Sequence, residues 1–143
     1  IRADEGIGCG KVFQDVVGAA KGFWYSTVEV GGKWLDHLAL VDDNVRSDHQ
    51  AVSVAALVAD PGYWIFQKQS TGTVNRDFAQ VTAGSGIYCY DTFTVDSNGP
   101  EGAIDRFLIE VVDDDTLRIE HQGGTCGASQ SFSSPYEYSR FEN

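Results

Sequence analysis

The chain has no methionine, only three prolines, and ten basic residues against 21 acidic ones, and each scarcity excludes something. Without methionine, residue 1 is not an initiator. The opening "IRADEG" is therefore expected to begin a processed chain whose targeting signal peptide has been removed. So few prolines, with 42% hydrophobic and 12% aromatic residues, exclude a disordered or low-complexity chain. No apolar run approaches the roughly 18 residues a spanning helix needs, so no membrane span is expected. A net charge of −11 repels phosphate backbones and anionic lipid heads, which excludes nucleic acid as a natural partner. The same acidity keeps a chain soluble, and it leaves a protein partner open.

Signatures of catalysis are also missing. There is no G-x-S-x-G elbow, and Gly6, Gly8 and Gly10 in "GIGCG" match neither the phosphate loop nor the dinucleotide fingerprint. His37, His49 and His121 show no i, i+4 spacing, and no Cys-x-x-Cys exists, so no metal is assigned. The acidic stretches "VDDN", "DSNG" and "DDD" lack the alternating oxygen pattern of a calcium loop. No cofactor is implied, and no N-x-S/T sequon is present.

The 143 residues suit one domain, 1–143, with a single core. Its three cysteines fit an exported protein with one disulfide and one spare thiol, and the expected location is secreted or otherwise non-cytoplasmic. Cys9 and Cys126 both sit in glycine-rich loops, where backbone geometry can adapt to a bridge, whereas Cys89 lies in the alternating run "GIYCYDTFTV". The expected bridge is Cys9–Cys126, with Cys89–Cys126 as the rival.

Periodicity then gives one helix and many strands. Val12, Phe13, Val16 and Val17 recur at helical spacing before Gly18 and Gly22, which predicts a short N-terminal helix. "GFWYSTVEV" follows as the first strand, and "KWLDHLALV" reads as the second. "SDHQAVSVAALVAD" is divided: Ser47 and Gln50 match a capping box, while Val52, Val54, Ala56 and Val58 alternate as a strand does. Over residues 48–59 both remain open, with strand ahead. "YWIFQKQ", "TVNRDFAQVTA", "IYCYDTFTV", "RFLIEVV", "TLRIEH" and "YEYSRF" are strand-length segments divided by turn residues. The fold class is all-β: eight or nine short strands in an up-and-down antiparallel barrel. Such a sheet loses its exposed edges when the last strand pairs with the first.

Three features resemble the lipocalin-like, or calycin, barrels: Gly22-Phe23-Trp24 opening the first strand, the helical prospect of Val12 to Ala20 before it, and Arg140 in the last strand. The resemblance implies that the Trp24 indole plugs the barrel floor and that Arg140 lies on its face, where a guanidinium gains a cation–π contact.

In such a barrel each strand turns one face to the lumen. Phe107, Ile109 and Val111 share a face opposite Arg106 and Glu110. Leu117, Ile119 and His121 share one opposite Arg118, Glu120 and Gln122. On "IYCYDTFTV" two faces compete, Tyr88, Tyr90, Thr92 and Thr94 against Ile87, Cys89, Phe93 and Val95. The ligand-binding candidates are therefore Trp34, Trp64, Tyr88, Tyr90, Phe107, Ile109, Leu117, Ile119 and His121. Gly22, Trp24 and Arg140 are the structural ones. The expected function is binding of a small, largely apolar molecule in the lumen. Two alternatives stand beside it. One is an acid/base enzyme of cyclase or isomerase type using His121, Tyr90 and Asp91. The other is a packed barrel that engages a protein partner.

Overall fold

The computed structural model describes residues 16, 18–26, 37–42, 48–54, 62–91, 105–127 and 130–140. These form eight strands: β1 (Gly22–Ser26), β2 (His37–Asp42), β3 (His49–Val54), β4 (Gly62–Gln67), β5 (Ile87–Tyr90), β6 (Asp105–Asp113), β7 (Thr116–Gly123) and β8 (Tyr136–Ser139). All neighbours are antiparallel, in the order β4-β3-β2-β1-β8-β7-β6-β5. The last strand pairs with the first, Tyr25 opposite Ser139 and Ser26 opposite Tyr138. The fold is all-β, a nearly closed up-and-down barrel.

The sheet's two ends are β4 and β5, and the segment between them crosses the seam. Gln69 bridges Arg76 and Val74 bridges Cys89, both in parallel sense. The Gln69 N–H donates to the Asn75 carbonyl and the Asn75 N–H to that of Cys89, each at 2.8 Å. "TVNRDFAQVTA" is therefore not the strand its length suggests. Asn75 takes φ +56°, a left-handed conformation an extended run does not tolerate. Asp77 then caps a single 3-10 turn, Phe78–Gln80, by accepting from the Ala79 N–H at 3.0 Å. The buried amide of Gln50 holds this crossing segment. Its Nε2 donates to the Arg76 carbonyl at 2.9 Å and its Oε1 accepts from the Phe78 N–H at 3.0 Å. Gln50 is thus an inward strand residue and not a helix cap, and residues 49–54 of the divided segment are strand.

Register makes the inner surface continuous. Trp24 faces Leu38, and Leu38 faces Val54. Leu40 faces Val52, and Val52 faces Trp64. On the other half Tyr90 faces Phe107, which faces His121; Tyr88 faces Ile109, which faces Ile119; and Val111 faces Leu117, which faces Tyr138. All of these except His121 belong to one buried cluster, joined by Phe66, Phe78 and Val81. Each large apolar side chain removed from water contributes about 1.5–3 kcal/mol, so this shared inner face is the main source of stability.

The floor of the barrel lies where β1 begins and β8 ends. Ala19 bridges Thr82, and the Ala20 N–H donates to the Val81 carbonyl at 2.8 Å. The Trp24 indole N–H donates to the Ala20 carbonyl at 2.8 Å, and Arg140 lies over that indole, 4.3 Å from the ring centre. The Arg140 guanidinium also donates to the carbonyls of Val16, at 2.7 Å, and Ala19. Most of the helix expected over 12–20 lies outside the described residues. Gly18, at φ +86°, is in a turn and Ala19 in an isolated bridge, so helix does not reach this part of it.

The disulfide joins Cys89 to Cys126, not Cys9 to Cys126. Alternation on β5 sends Tyr88 and Tyr90 inward and Cys89 outward, towards the segment that follows β7. There Cys126 lies 5.9 Å away between Cα atoms. Its N–H donates to Asp91 Oδ2 at 2.7 Å, which anchors the same segment. Cys9 lies outside the described residues.

Candidate functional site

The chemistry-bearing side chains converge in the lumen, towards the end opposite the floor. Three rings meet there: Trp64 on β4, Phe107 on β6 and His121 on β7. Trp64 and Phe107 pack edge to face at 5.1 Å between ring centres. His121 lies 4.9 Å from Phe107 and 6.2 Å from Trp64. Trp64 and Phe107 are buried, whereas His121 is partly exposed. The apolar inner face therefore ends on a group that can donate or accept a hydrogen bond. Gly62 makes this arrangement possible. A Cβ at that position would meet the far edge of the Trp64 indole at 2.8 Å, so a larger residue would displace the ring from where it folds back over its own strand.

Deeper in the lumen, Tyr90 packs against Phe66 and Phe78, with ring centres 5.2 and 5.0 Å away. Phe66 and Phe78 themselves meet edge to face at 5.8 Å. The Tyr90 hydroxyl is fully buried and has no hydrogen-bond partner. Burial holds its proton well above the ordinary phenol range; Tyr88 and Asp77 reinforce the effect and Arg76 opposes it. Tyr90 is therefore a neutral hydroxyl throughout the physiological range and cannot serve as a base.

Of the sequence candidates, Trp64, Tyr88, Tyr90, Phe107, Ile109, Leu117 and Ile119 all lie in the one inner cluster, with His121 at its end. Trp34 lies outside the described residues. The competition on β5 resolves for Tyr88 and Tyr90, which face inward. Cys89, although equally buried, faces out. Asp91 does not join Tyr90 and His121, because its carboxylate accepts from Cys126 beside the disulfide.

Sequence reasoning missed Phe78 and Gln50, and it counted Phe66 with Trp34, Tyr63 and Trp64 as aromatic surface without carrying it into the site. Phe66 stands two residues from Trp64 on the same strand and was legible from alternation. Phe78 and Gln50 depend on the seam-crossing segment, for which the sequence carries no periodic signal.

Comparison of the chain with protein-family models, with curated proteins and with solved structures found no match.

One further feature lies away from the lumen. Asp113, Asp114 and Asp115 border an open depression of about 510 Å³ with Ala83, Gly84 and Val112. Asp113 accepts from the Asp115 N–H at 2.9 Å, as an acidic turn does. Among the described residues no group of three or more His, Cys, Asp or Glu side chains could hold a metal ion. No helix there is long and apolar enough to cross a membrane.

Proposed function

We propose that this barrel binds a small, largely apolar molecule in the end of its lumen opposite the Trp24 floor, with the polar end of that molecule near His121. The observation that carries the reading is the ring cluster of Trp64, Phe107 and His121, which ends a continuous apolar inner face on a partly exposed imidazole. A ligand that removes about 200 Å² of apolar surface from water there gains about 5 kcal/mol before the costs of association. Aromatic walls with one convergent polar group are the usual make-up of a small-molecule site.

The arrangement of Gly22, Trp24 and Arg140, with β1 paired to β8, supports assigning the barrel to the lipocalin-like group. The Cys89–Cys126 bridge supports an oxidising, non-cytoplasmic location, since such bonds persist outside reducing compartments. Acid/base catalysis by Tyr90, Asp91 and His121 receives less support. Tyr90 keeps its proton, and Asp91 is engaged beside the disulfide.

Native mass spectrometry of protein purified from its source tests the proposal. A retained small molecule, lost on unfolding, supports the carrier reading. Repeated recovery of the bare chain together with a stoichiometric protein partner would favour the partner-binding alternative.

A further inference from the structure

Most polar groups in the described interior are accounted for, and the Tyr90 hydroxyl is not. The Trp24 indole N–H donates to Ala20, the Gln50 amide is held on both sides by Arg76 and Phe78, and Asp91 accepts from Cys126. The Tyr90 hydroxyl is fully buried in the apolar cluster without a hydrogen bond. A buried polar atom of this kind costs free energy comparable to a lost hydrogen bond, and in native proteins such atoms call for an explanation. Phenylalanine would fill the same space between Phe66 and Phe78 at no such cost, so packing does not account for the hydroxyl.

We propose that the Tyr90 hydroxyl is the hydrogen-bond donor for the luminal ligand, and that the ligand is an uncharged molecule carrying an acceptor oxygen, such as a ketone, ester or ether, on an apolar skeleton. This inference rests on the lumen reading above and narrows it to a ligand class.

Three observations define the class. Tyr90 faces Phe107 across the β5–β6 ladder, and Phe107 faces His121, so the hydroxyl-bearing side chain stands in the same row as the ring cluster. Its walls are Phe66 and Phe78, which offer no polar contact from their rings and favour an apolar skeleton. Burial keeps the phenol protonated, with Tyr88 and Asp77 reinforcing it and Arg76 opposing it, and the same desolvation disfavours an anionic ligand. A cation fares no better, because a neutral phenol in an apolar cluster does not replace its hydration. What remains is a neutral acceptor, which the hydroxyl can satisfy by donating its proton.

A matched pair of probes tests this: 2-acetylnaphthalene, and 2-isopropenylnaphthalene, in which a methylene replaces the carbonyl oxygen. Each is titrated against the native protein and Tyr90→Phe, with tryptophan fluorescence as the readout. The expected result is a ketone-to-hydrocarbon affinity ratio about 3- to 10-fold higher in the native protein than in Tyr90→Phe, the range of one neutral hydrogen bond. Tyr90→Phe should keep or raise the melting temperature without ligand, because it removes a buried hydroxyl that has no partner. If both probes bind saturably and the ratio does not change, the donor role is overturned while the lumen reading stands. If neither binds saturably, the lumen reading fails and takes this inference with it. A marked fall in the melting temperature of Tyr90→Phe would show the hydroxyl engaged within the fold and would also overturn the proposal.

Discussion

The Arg140 guanidinium lies 4.3 Å above the centre of the Trp24 indole, so the end of β8 is fastened to the start of β1 by a stacked cation as well as by the strand ladder. The same guanidinium donates to carbonyls at Val16 and Ala19, in the segment that covers the floor. One side chain thus ties together the first strand, the last strand and the segment before β1.

Arg140→Ala should therefore destabilise the fold by about 2 kcal/mol, combining the lost cation–π contact with the lost charged hydrogen bonds. Arg140→Lys should recover only part of this, since an ammonium cannot stack and reach both carbonyls. Urea unfolding of the three proteins gives the comparison. An Arg140→Ala midpoint equal to that of the native chain would mean the contact contributes nothing.

The disulfide makes a second prediction. Non-reducing peptide mapping should recover a Cys89–Cys126 peptide. The double replacement Cys89→Ala, Cys126→Ala should cost about 2–4 kcal/mol, because the bond closes a loop with a sequence separation of 37 residues. A map in which Cys126 is joined to any other cysteine would contradict the β5 orientation described above.

Gln50 offers a third. Gln50→Leu keeps the size of the side chain but strips partners from the Arg76 carbonyl and the Phe78 N–H. A loss of about 2–4 kcal/mol is expected, since two backbone groups are left unpaired, the latter buried. Hydrogen exchange should show the loss first in residues 73–80, with the β6–β7 ladder protected as before. Uniform loss across both regions would mean that Gln50 does not act through the crossing segment.

How much of this was legible follows from what each segment carries. β6 and β7 could be oriented because Arg106, Glu110, Arg118 and Glu120 mark the solvent face. β5 could not, because both its faces are buried and alternation then has no contrast to report. Pairing Cys9 with Cys126 failed for a different reason: glycine-rich surroundings permit a bridge but do not bring two cysteines together, whereas strand direction does. The extra strand expected across "TVNRDFAQVTA" reflects a similar limit. Its length and spacing look extended, yet Asn75 at positive φ and the cap at Asp77 are local features that only the partners Gln50 and Cys89 explain. In the lumen the individual candidates were readable, but their convergence was a matter of register.

Acid should weaken the barrel through Asp42, at the end of β2. Burial pushes its carboxyl pKa up. The hydrogen bonds and charges of Lys21 and Lys68, at 2.9 and 3.1 Å, outweigh that and hold it below its ordinary value. A pKa depressed in the folded state contributes stability that is fully present above the unfolded value of about 3.9. That contribution is lost as pH falls through the folded one. The stability gap between the native protein and Asp42→Asn should therefore be constant at neutral pH and narrow as pH falls below about 4. A gap that persists unchanged at pH 2 would exclude the two lysines as its source.

The most direct test of the carrier reading is a titration with the uncharged dye N-phenyl-1-naphthylamine, following energy transfer from tryptophan in the native protein, His121→Leu and Trp64→Phe. Saturable binding of one dye per chain and weaker transfer in Trp64→Phe are expected. His121→Leu should shift affinity while its melting temperature changes little. Non-saturable binding, or saturable binding that neither substitution alters, would contradict the carrier reading.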